Sequence, residues 1–182
     1  MFCGAGNDYA AARCLILNRL IASGFPLFSQ SVEKLLKSII FLQTGKKPNL
    51  KGLDRHNPYA LKQELQQAAD YDLDKYDAVL QTLYGHFQQR YFDNEDQSKH
   101  MSTGELDGLD ELWMHLFERT PFPVEVKYRL MFPVILFEQN ALAVMPTYRH
   151  WVLSQNKTIA SKLLEMEVAY RAVEDHYLNS KD

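Results

Sequence analysis

The sequence predicts an all-α protein, and three observations support this fold class. Apolar residues recur at spacings of three and four in successive segments, which places them on one face of each predicted helix. No segment shows the strict alternation of apolar and polar residues that is typical of a half-buried strand. The 182 residues include only 8 glycines and 7 prolines, which argues against a loop-rich β fold.

Two helices are predicted in the first quarter of the chain, at 9–22 and 29–42. Asp8 is the expected N-cap of the first helix, and Gly24 and Pro26 are expected to end it. The second helix is expected to end before Gly45. Its apolar stripe consists of Val32, Leu35, Leu36, Ile39 and Ile40.

Three more helices follow in the middle of the chain. Asn57 followed by Pro58 indicates a cap and a first helical residue, so a third helix is predicted at 58–69. A fourth is predicted at 74–89 from its apolar stripe. The segment 102–105, Ser-Thr-Gly-Glu, resembles a capping box that opens a fifth helix.

Beyond residue 119 the pattern is interrupted by prolines. The apolar segment 125–144 contains Pro133 and is predicted to form a kinked helix or two short ones. A short helix containing Trp151 is predicted before Asn156, and a last helix from 156 or 158 to about 177. We therefore predict a helical domain at 1–119 and a helical extension at 120–182, which either packs on the domain or forms an oligomer interface.

The composition limits the classes of function. Hydrophobic residues make up 46% and charged residues 24%, as in ordinary globular proteins that can bury a core. The formal net charge of −3 means that binding of nucleic acid would require a local basic patch. Apolar runs are too short to predict a membrane span or a membrane partner.

The two cysteines, Cys3 and Cys14, lie in no spacing that is typical of a metal site. We therefore predict neither a metal nor a cofactor. Low cysteine usage, together with a first segment that lacks the regions of a signal peptide, favours a cytoplasmic location.

The most basic segment connects the second and third predicted helices. Lys46, Lys47, Lys51, Arg55 and His56 could neutralise phosphates there. The segment leads into a helix N-terminus, where anions are favoured. It lacks the glycine spacing of a phosphate-binding P-loop, and an ordinary lysine-rich surface loop is the alternative interpretation.

Two further groups have both a functional and a structural interpretation. The polar edge of the second helix, which includes Glu33 and Lys37, could bind a polar partner or could form a solvated rim with an i, i+4 ion pair. Arg171 and His176 match the spacing Arg-x4-His and could meet across a two-fold dimer, with histidine handling protons and arginine the phosphate charge. A solvated helix end is the alternative for this second pair.

Four pieces of sequence, in order, resemble the HEPN domain family (higher eukaryotes and prokaryotes nucleotide-binding) over residues 8–118. Residues 8–15 resemble its opening helix, and the order Q-x-x-E-K-x-L-K at 30–37 resembles its second helix. His56 with the following Ala-Leu is similar to the start of its third helix. Residues 89–92, Gln-Arg-Tyr-Phe, resemble its R-Y-P turn with phenylalanine in place of proline, and 105–118 its closing helix.

The resemblance implies an antiparallel bundle of four to five helices, often a homodimer. Members act beside nucleotidyltransferases, in toxin–antitoxin pairs or as RNA-cleaving effectors. The ribonuclease branch carries Arg-x4-6-His inside the domain, whereas the match in this chain lies in the extension. The resemblance therefore favours the non-nuclease branch, in which the residues that match His56, Arg90 and Tyr91 line a polar groove.

We accordingly expect a non-catalytic domain that binds a nucleotide, nucleic acid or protein partner, with regulation of a separately encoded partner as one role. The expected binding residues are Lys46, Lys47, Lys51, Arg55, His56, Arg90 and Tyr91. Two alternatives stay open. One is a metal-independent ribonuclease toxin that uses Arg171 and His176, and the other is a purely structural protein that contacts a partner through its apolar extension.

Overall fold

A computed structural model of the chain describes residues 2–49, 51, 56–88, 103–123, 127, 148–162, 164, 165, 168 and 171. All regular secondary structure among these residues is helical, and none of them lies in a β-strand. The predicted all-α class is therefore confirmed. Most of the predicted helix at 125–144, and the end of the last predicted helix, lie outside the described residues.

The helices follow one another in the order predicted from the apolar stripes. They are α1 (Phe2–Leu17), α2 (Ile21–Thr44), α3 (Pro58–Ala68), α4 (Asp77–Gln88), α5 (Leu106–Arg119) and α6 (Tyr148–Leu153). Short 3-10 turns at Asp74–Tyr76 and Thr103–Glu105 lead into α4 and α5. A further helical segment starts at residue 157. In the described part of the chain, no helix combines the length and the apolar character needed to cross a membrane.

Helix α2 is the centre of the bundle, because α1, α3, α4 and α5 all pack against it. The predicted stripe of α2 is almost fully buried: Val32, Leu35, Leu36, Ile39 and Ile40. On its α1 and α5 side, the Tyr9 and Trp113 rings stack with centroids 4.2 Å apart, and Phe28 meets the Tyr9 ring edge-on at 5.4 Å. The core is therefore aromatic where the first, second and fifth helices meet.

The prediction for the first helix was wrong at both ends. Helix α1 begins at Phe2 and ends at Leu17, so Asp8 lies inside it, and Asp8 accepts a hydrogen bond from Lys34 Nζ at 2.5 Å instead of capping. The chain turns at Arg19, whose φ of 64° is left-handed. Gly24 and Pro26 then lie within the first turns of α2 rather than after α1.

Close packing explains why Gly24 belongs to a helix. A Cβ atom at Gly24 would lie 2.5 Å from Ile16 Cγ1 and 3.0 Å from the carbonyl oxygen of Ala12, both on α1. Only a residue without a side chain lets α2 approach α1 this closely. Pro26 is buried beside it, and its missing N–H falls early in the helix, where it removes a single backbone bond.

Several predicted helix ends are confirmed. Helix α2 ends at Thr44, and Gly45 follows with φ 69° and donates its N–H to the Phe41 carbonyl. At α3, Asn57 Oδ1 accepts the Tyr59 N–H at 3.0 Å, ahead of the turn that Pro58 begins. A 3-10 turn precedes α5, and Glu105 at the N-cap position of this helix makes no side-chain capping bond. Ser102, the first residue of the predicted capping box, lies outside the described residues, so the capping box stays a prediction.

Candidate functional site

The connection between α2 and α3, which we call the basic segment (residues 45–56), is tied to the bundle at both ends and in its middle. The Lys46 N–H donates to Thr44 Oγ1 at 3.1 Å. The Asn49 N–H donates to Glu64 Oε1 of α3 at 2.8 Å. His56 Nδ1 lies 3.1 Å from Glu33 Oε1 of α2. These contacts present the described part of the segment on the surface of α2 and α3.

The lysines of the basic segment face solvent. Lys46, Lys47 and Lys51 are all exposed. Within the described ranges, no carboxylate forms an ion pair with any of these three lysines. Three positive charges that have no carboxylate partner among the described residues favour a positive local potential that attracts anions, even though the whole chain carries a formal charge of −3.

Two exposed apolar side chains border the basic segment. Phe41 is 46% exposed and Leu42 is 37% exposed, both in the last turn of α2. Phe41 lies one helical turn after Lys37, so the two share a face of the helix. Along the chain, an exposed aromatic residue thus lies between the polar edge of α2 and the exposed lysines.

The polar edge of α2 forms a small charged cluster below this ring. Glu33 Oε1 accepts a hydrogen bond from Lys37 Nζ at 2.6 Å and also contacts His56. The predicted i, i+4 pair of Glu33 and Lys37 is therefore confirmed. The Glu33 side chain is only 10% exposed and that of His56 is 34% exposed, so the carboxylate fixes the start of α3 while the imidazole keeps contact with solvent.

The structure places four of the seven predicted binding residues on this surface: Lys46, Lys47, Lys51 and His56. Arg55, Arg90 and Tyr91 lie outside the described residues, so their part in the site stays a prediction. Arg171 is exposed on the C-terminal helical segment, and His176 is outside the described residues. The proposed pairing of Arg171 with His176 is therefore untested.

Sequence reasoning missed a second polar group, which is buried in the core. The Arg13 guanidinium is fully buried and forms an ion pair with Asp110 of α5. Arg13 Nε donates to the Trp151 carbonyl at 2.9 Å, and Nη2 donates to the Ser154 carbonyl. One arginine therefore joins α1 to α5 and to the chain around α6.

Tyr9 and Asn156 extend this buried network. The Tyr9 hydroxyl donates to Asp110 Oδ1 at 2.8 Å and accepts from Asn156 Nδ2 at 2.7 Å. Asn156 Oδ1 accepts the Ile159 N–H at 2.9 Å and so caps the helical segment that starts at 157, close to the predicted start of the last helix at 156 or 158. All the polar side chains of the network are almost fully shielded from water.

Burial dominates the electrostatics of the network. It raises the pKa of the Asp110 carboxyl to about 6, although the Arg13 charge and the hydrogen bonds from Arg13 and Tyr9 act in the opposite direction. Burial also raises the pKa of the Tyr9 hydroxyl, and the nearby Asp110 adds to this effect. Because the network is enclosed, we assign it a role in holding helices together rather than in contacting a ligand.

One signal in the sequence could have revealed this network. Arg13 and Asp110 each lie on an apolar stripe, four residues from Tyr9 and from Leu106 respectively. A charged residue on the buried face of a helix is rare unless it is paired. The stripes alone, however, do not say which charge pairs with which.

Comparisons of the chain with protein-family models, curated proteins and solved structures gave no match. Among the described residues, no group of three or more histidine, cysteine, aspartate or glutamate side chains is placed to hold a metal ion.

Proposed function

We propose that this chain is a non-catalytic, HEPN-like helical domain that binds single-stranded nucleic acid or free nucleotide on the basic segment. The observation that carries the proposal is the exposed Phe41 ring at the end of α2, which is followed along the chain by three exposed lysines that lack a carboxylate partner among the described residues: Lys46, Lys47 and Lys51. The HEPN-like assignment is supported by the sequence resemblance over residues 8–118 and by the helical architecture.

The physical argument combines charge and stacking. Lysines that neutralise phosphates release condensed counterions, which gives an affinity that depends on salt but not on base sequence. An unpaired base can stack on an aromatic ring, a contact worth about 1–3 kcal/mol. Phe41 lies in the last turn of α2, and Lys46 and Lys47 follow within three residues of the helix end at Thr44. An aromatic ring followed so closely by lysines suits a phosphate attached to an unpaired base better than a base-paired duplex.

The test is fluorescence anisotropy with a labelled single-stranded oligouridylate, a matched RNA duplex, and unlabelled nucleotides as competitors. Replacing Lys46, Lys47 and Lys51 with alanine should weaken single-strand binding. It should also reduce the slope of log affinity against log salt by about 2, since each phosphate contact on a single strand contributes about 0.7. Lys157→Ala is the matched control, because its side chain is 88% exposed and lies outside the basic segment.

A second pair of variants tests the contribution of the Phe41 ring to binding. Phe41→Ala should weaken binding about 5- to 150-fold, the equivalent of one stacked base, while Leu42→Ala removes a neighbouring apolar side chain and should leave affinity nearly unchanged. The proposal fails if neither oligonucleotide nor nucleotide binds, or if the triple alanine variant binds as the wild type does. Binding to the duplex with equal affinity would also contradict it, because a stacked base must be unpaired.

A further inference from the structure

The ring of Phe41 lies in a part of α2 that the bundle leaves uncovered. All residues from 41 to 47 are exposed, from the last turn of the helix into the basic segment. Phe41 itself is 46% exposed, whereas Ile39 and Ile40 just before it are almost fully buried. The aromatic ring is therefore accessible from solvent, as a surface for stacking must be.

The polar side chains one turn before this ring are already engaged in hydrogen bonds. Residues three and four positions away are the neighbours of Phe41 on the helix surface. Lys37 Nζ donates to Glu33 Oε1 at 2.6 Å. Ser38 Oγ donates to the Lys34 carbonyl at 2.7 Å, and Ser38 is nearly buried. Neither side chain is a free partner for the edge of a base.

The turn that follows Phe41 offers no free side-chain group either. The Thr44 hydroxyl donates to the Ile40 carbonyl at 2.8 Å and accepts the N–H of Lys46 at 3.1 Å. Gly45 has no side chain, and a Cβ atom there would meet nothing within 4 Å. On this face of α2, which the structure describes in full, a base finds a ring to stack on but no free hydroxyl or amide group to bond its edge.

We propose that this site prefers purine nucleotides to pyrimidine nucleotides and does not distinguish adenine from guanine. The inference rests on the function proposed above and names the class of base that the site accepts. Where no hydrogen bonds select the base, preferences follow the strength of stacking. The two fused rings of a purine present a larger and more polarisable face to Phe41 than the single ring of a pyrimidine does. Adenine and guanine differ at their edges, which this face of α2 does not contact.

The experiment uses AMP, GMP, CMP and UMP as competitors of the labelled oligouridylate in fluorescence anisotropy. Ribose 5-phosphate is the matched probe that has the sugar and the phosphate but no base. AMP and GMP should bind equally well, each roughly two- to fivefold more tightly than CMP and UMP, and ribose 5-phosphate should bind most weakly. Every affinity should fall between about 50 and 200 mM salt, while the purine preference stays constant because stacking is not ionic.

Three variants separate the ring from the charges. Phe41→Leu keeps an exposed apolar side chain without a π face, so all four nucleotides should bind equally, close to ribose 5-phosphate. Phe41→Trp enlarges the ring and should widen the purine preference. Lys47→Ala should weaken all four nucleotides and leave their ratio unchanged. Circular dichroism checks the fold of each variant.

The possible failures of this inference differ from a failure of the proposed function. Equal competition by all four nucleotides, or by none of them, would overturn the purine preference while binding of the oligouridylate still stands. A difference between AMP and GMP that exceeds the purine preference would also overturn it, as would an unchanged preference in Phe41→Leu. If the oligouridylate does not bind either, the proposed function fails as well.

Discussion

Replacing Arg13 with methionine tests the buried network most directly. Methionine keeps an unbranched apolar side chain but removes the charge and every donor. Asp110 then loses its ion-pair partner, and the carbonyls of Trp151 and Ser154 lose their hydrogen bonds from Arg13. Removing one partner of a buried ion pair costs about 3–5 kcal/mol, out of a typical total stability of about 5–15 kcal/mol.

The loss of unfolding free energy caused by Arg13→Met should increase with pH. The folded-state pKa of Asp110, about 6, lies above the value of 3.8 for an unperturbed aspartate. The stability that this carboxyl contributes is therefore complete in acid and is lost as pH rises through 6. Without Arg13 the pKa of Asp110 rises further, so ionising Asp110 costs the folded variant free energy at pH values where Asp110 of the folded wild type is already ionised. The destabilisation caused by Arg13→Met should therefore grow above pH 6, by up to about 1.4 kcal/mol per pH unit.

The assay is urea unfolding at pH 5 and pH 8, followed by far-UV circular dichroism. Arg119→Met is the matched control, because Arg119 is exposed and its substitution should change stability by about 0.5 kcal/mol or less. Amide exchange at 153–160 should also accelerate in Arg13→Met, since this part of the chain loses its attachment to α1. A cost below about 1 kcal/mol at pH 8, or an equal cost at both pH values, would refute this account of the network.

Four further substitutions, one of them a control at Gly85, probe helix packing, a buried hydrogen bond and a helix cap. Gly24→Ala adds a methyl group 2.5 Å from a side-chain carbon of α1 and should cost about 1–3 kcal/mol in urea unfolding, whereas Gly85→Ala meets nothing within 4 Å and should stabilise by up to about 1 kcal/mol. If both substitutions stabilise the protein, α1 and α2 do not approach each other as closely as described. Trp113→Phe loses the 2.7 Å hydrogen bond from Nε1 to Ser31 Oγ and should cost about 1–3 kcal/mol in the same assay; a neutral result would mean that the bond contributes nothing. Asn156→Ala removes a helix cap and should cost about 1 kcal/mol or more, with faster amide exchange at 157–162, and unchanged exchange there would count against the cap.

The sequence predicts a feature well when its cause is local. Gly45 ends α2, Asn57 caps α3 and Asn156 caps the helical segment at 157, each within four residues of the groups it satisfies. Backbone groups at helix ends need partners wherever the helix lies, so these signals hold in any tertiary context. For the same reason the i, i+4 pair of Glu33 and Lys37 could be predicted from the spacing alone.

Gly24 and Pro26 show where local reasoning fails. Both residues are unfavourable in helices, and their position after an apolar stripe is typical of a helix end. The packing of α2 on α1 reverses this preference, because Gly24 occupies a crossing too close for any side chain. The sequence indicates that a residue is small, but not that another helix passes over it.

In the candidate sites, too, features with a local cause could be predicted from the sequence, and features set by the arrangement of helices could not. The exposure of Lys46, Lys47 and Lys51 could be predicted, since lysine is rarely buried. The pairing of Arg13 with Asp110 could not, because the two residues are 97 positions apart and their contact is set by the arrangement of α1, α2 and α5.

The reach of Arg13 also constrains the order of events during synthesis. Its acceptor at Ser154 lies 141 residues further along the chain. At about 5–20 residues per second, a ribosome needs roughly 7–30 s to add them, far longer than helices need to form. During this time Arg13 on the inner face of α1 stays hydrated, while the other helices pack against α2. Closing the network is a late step of folding, and a nascent chain that stops short of Ser154 would expose the unfinished side of α1 to other proteins.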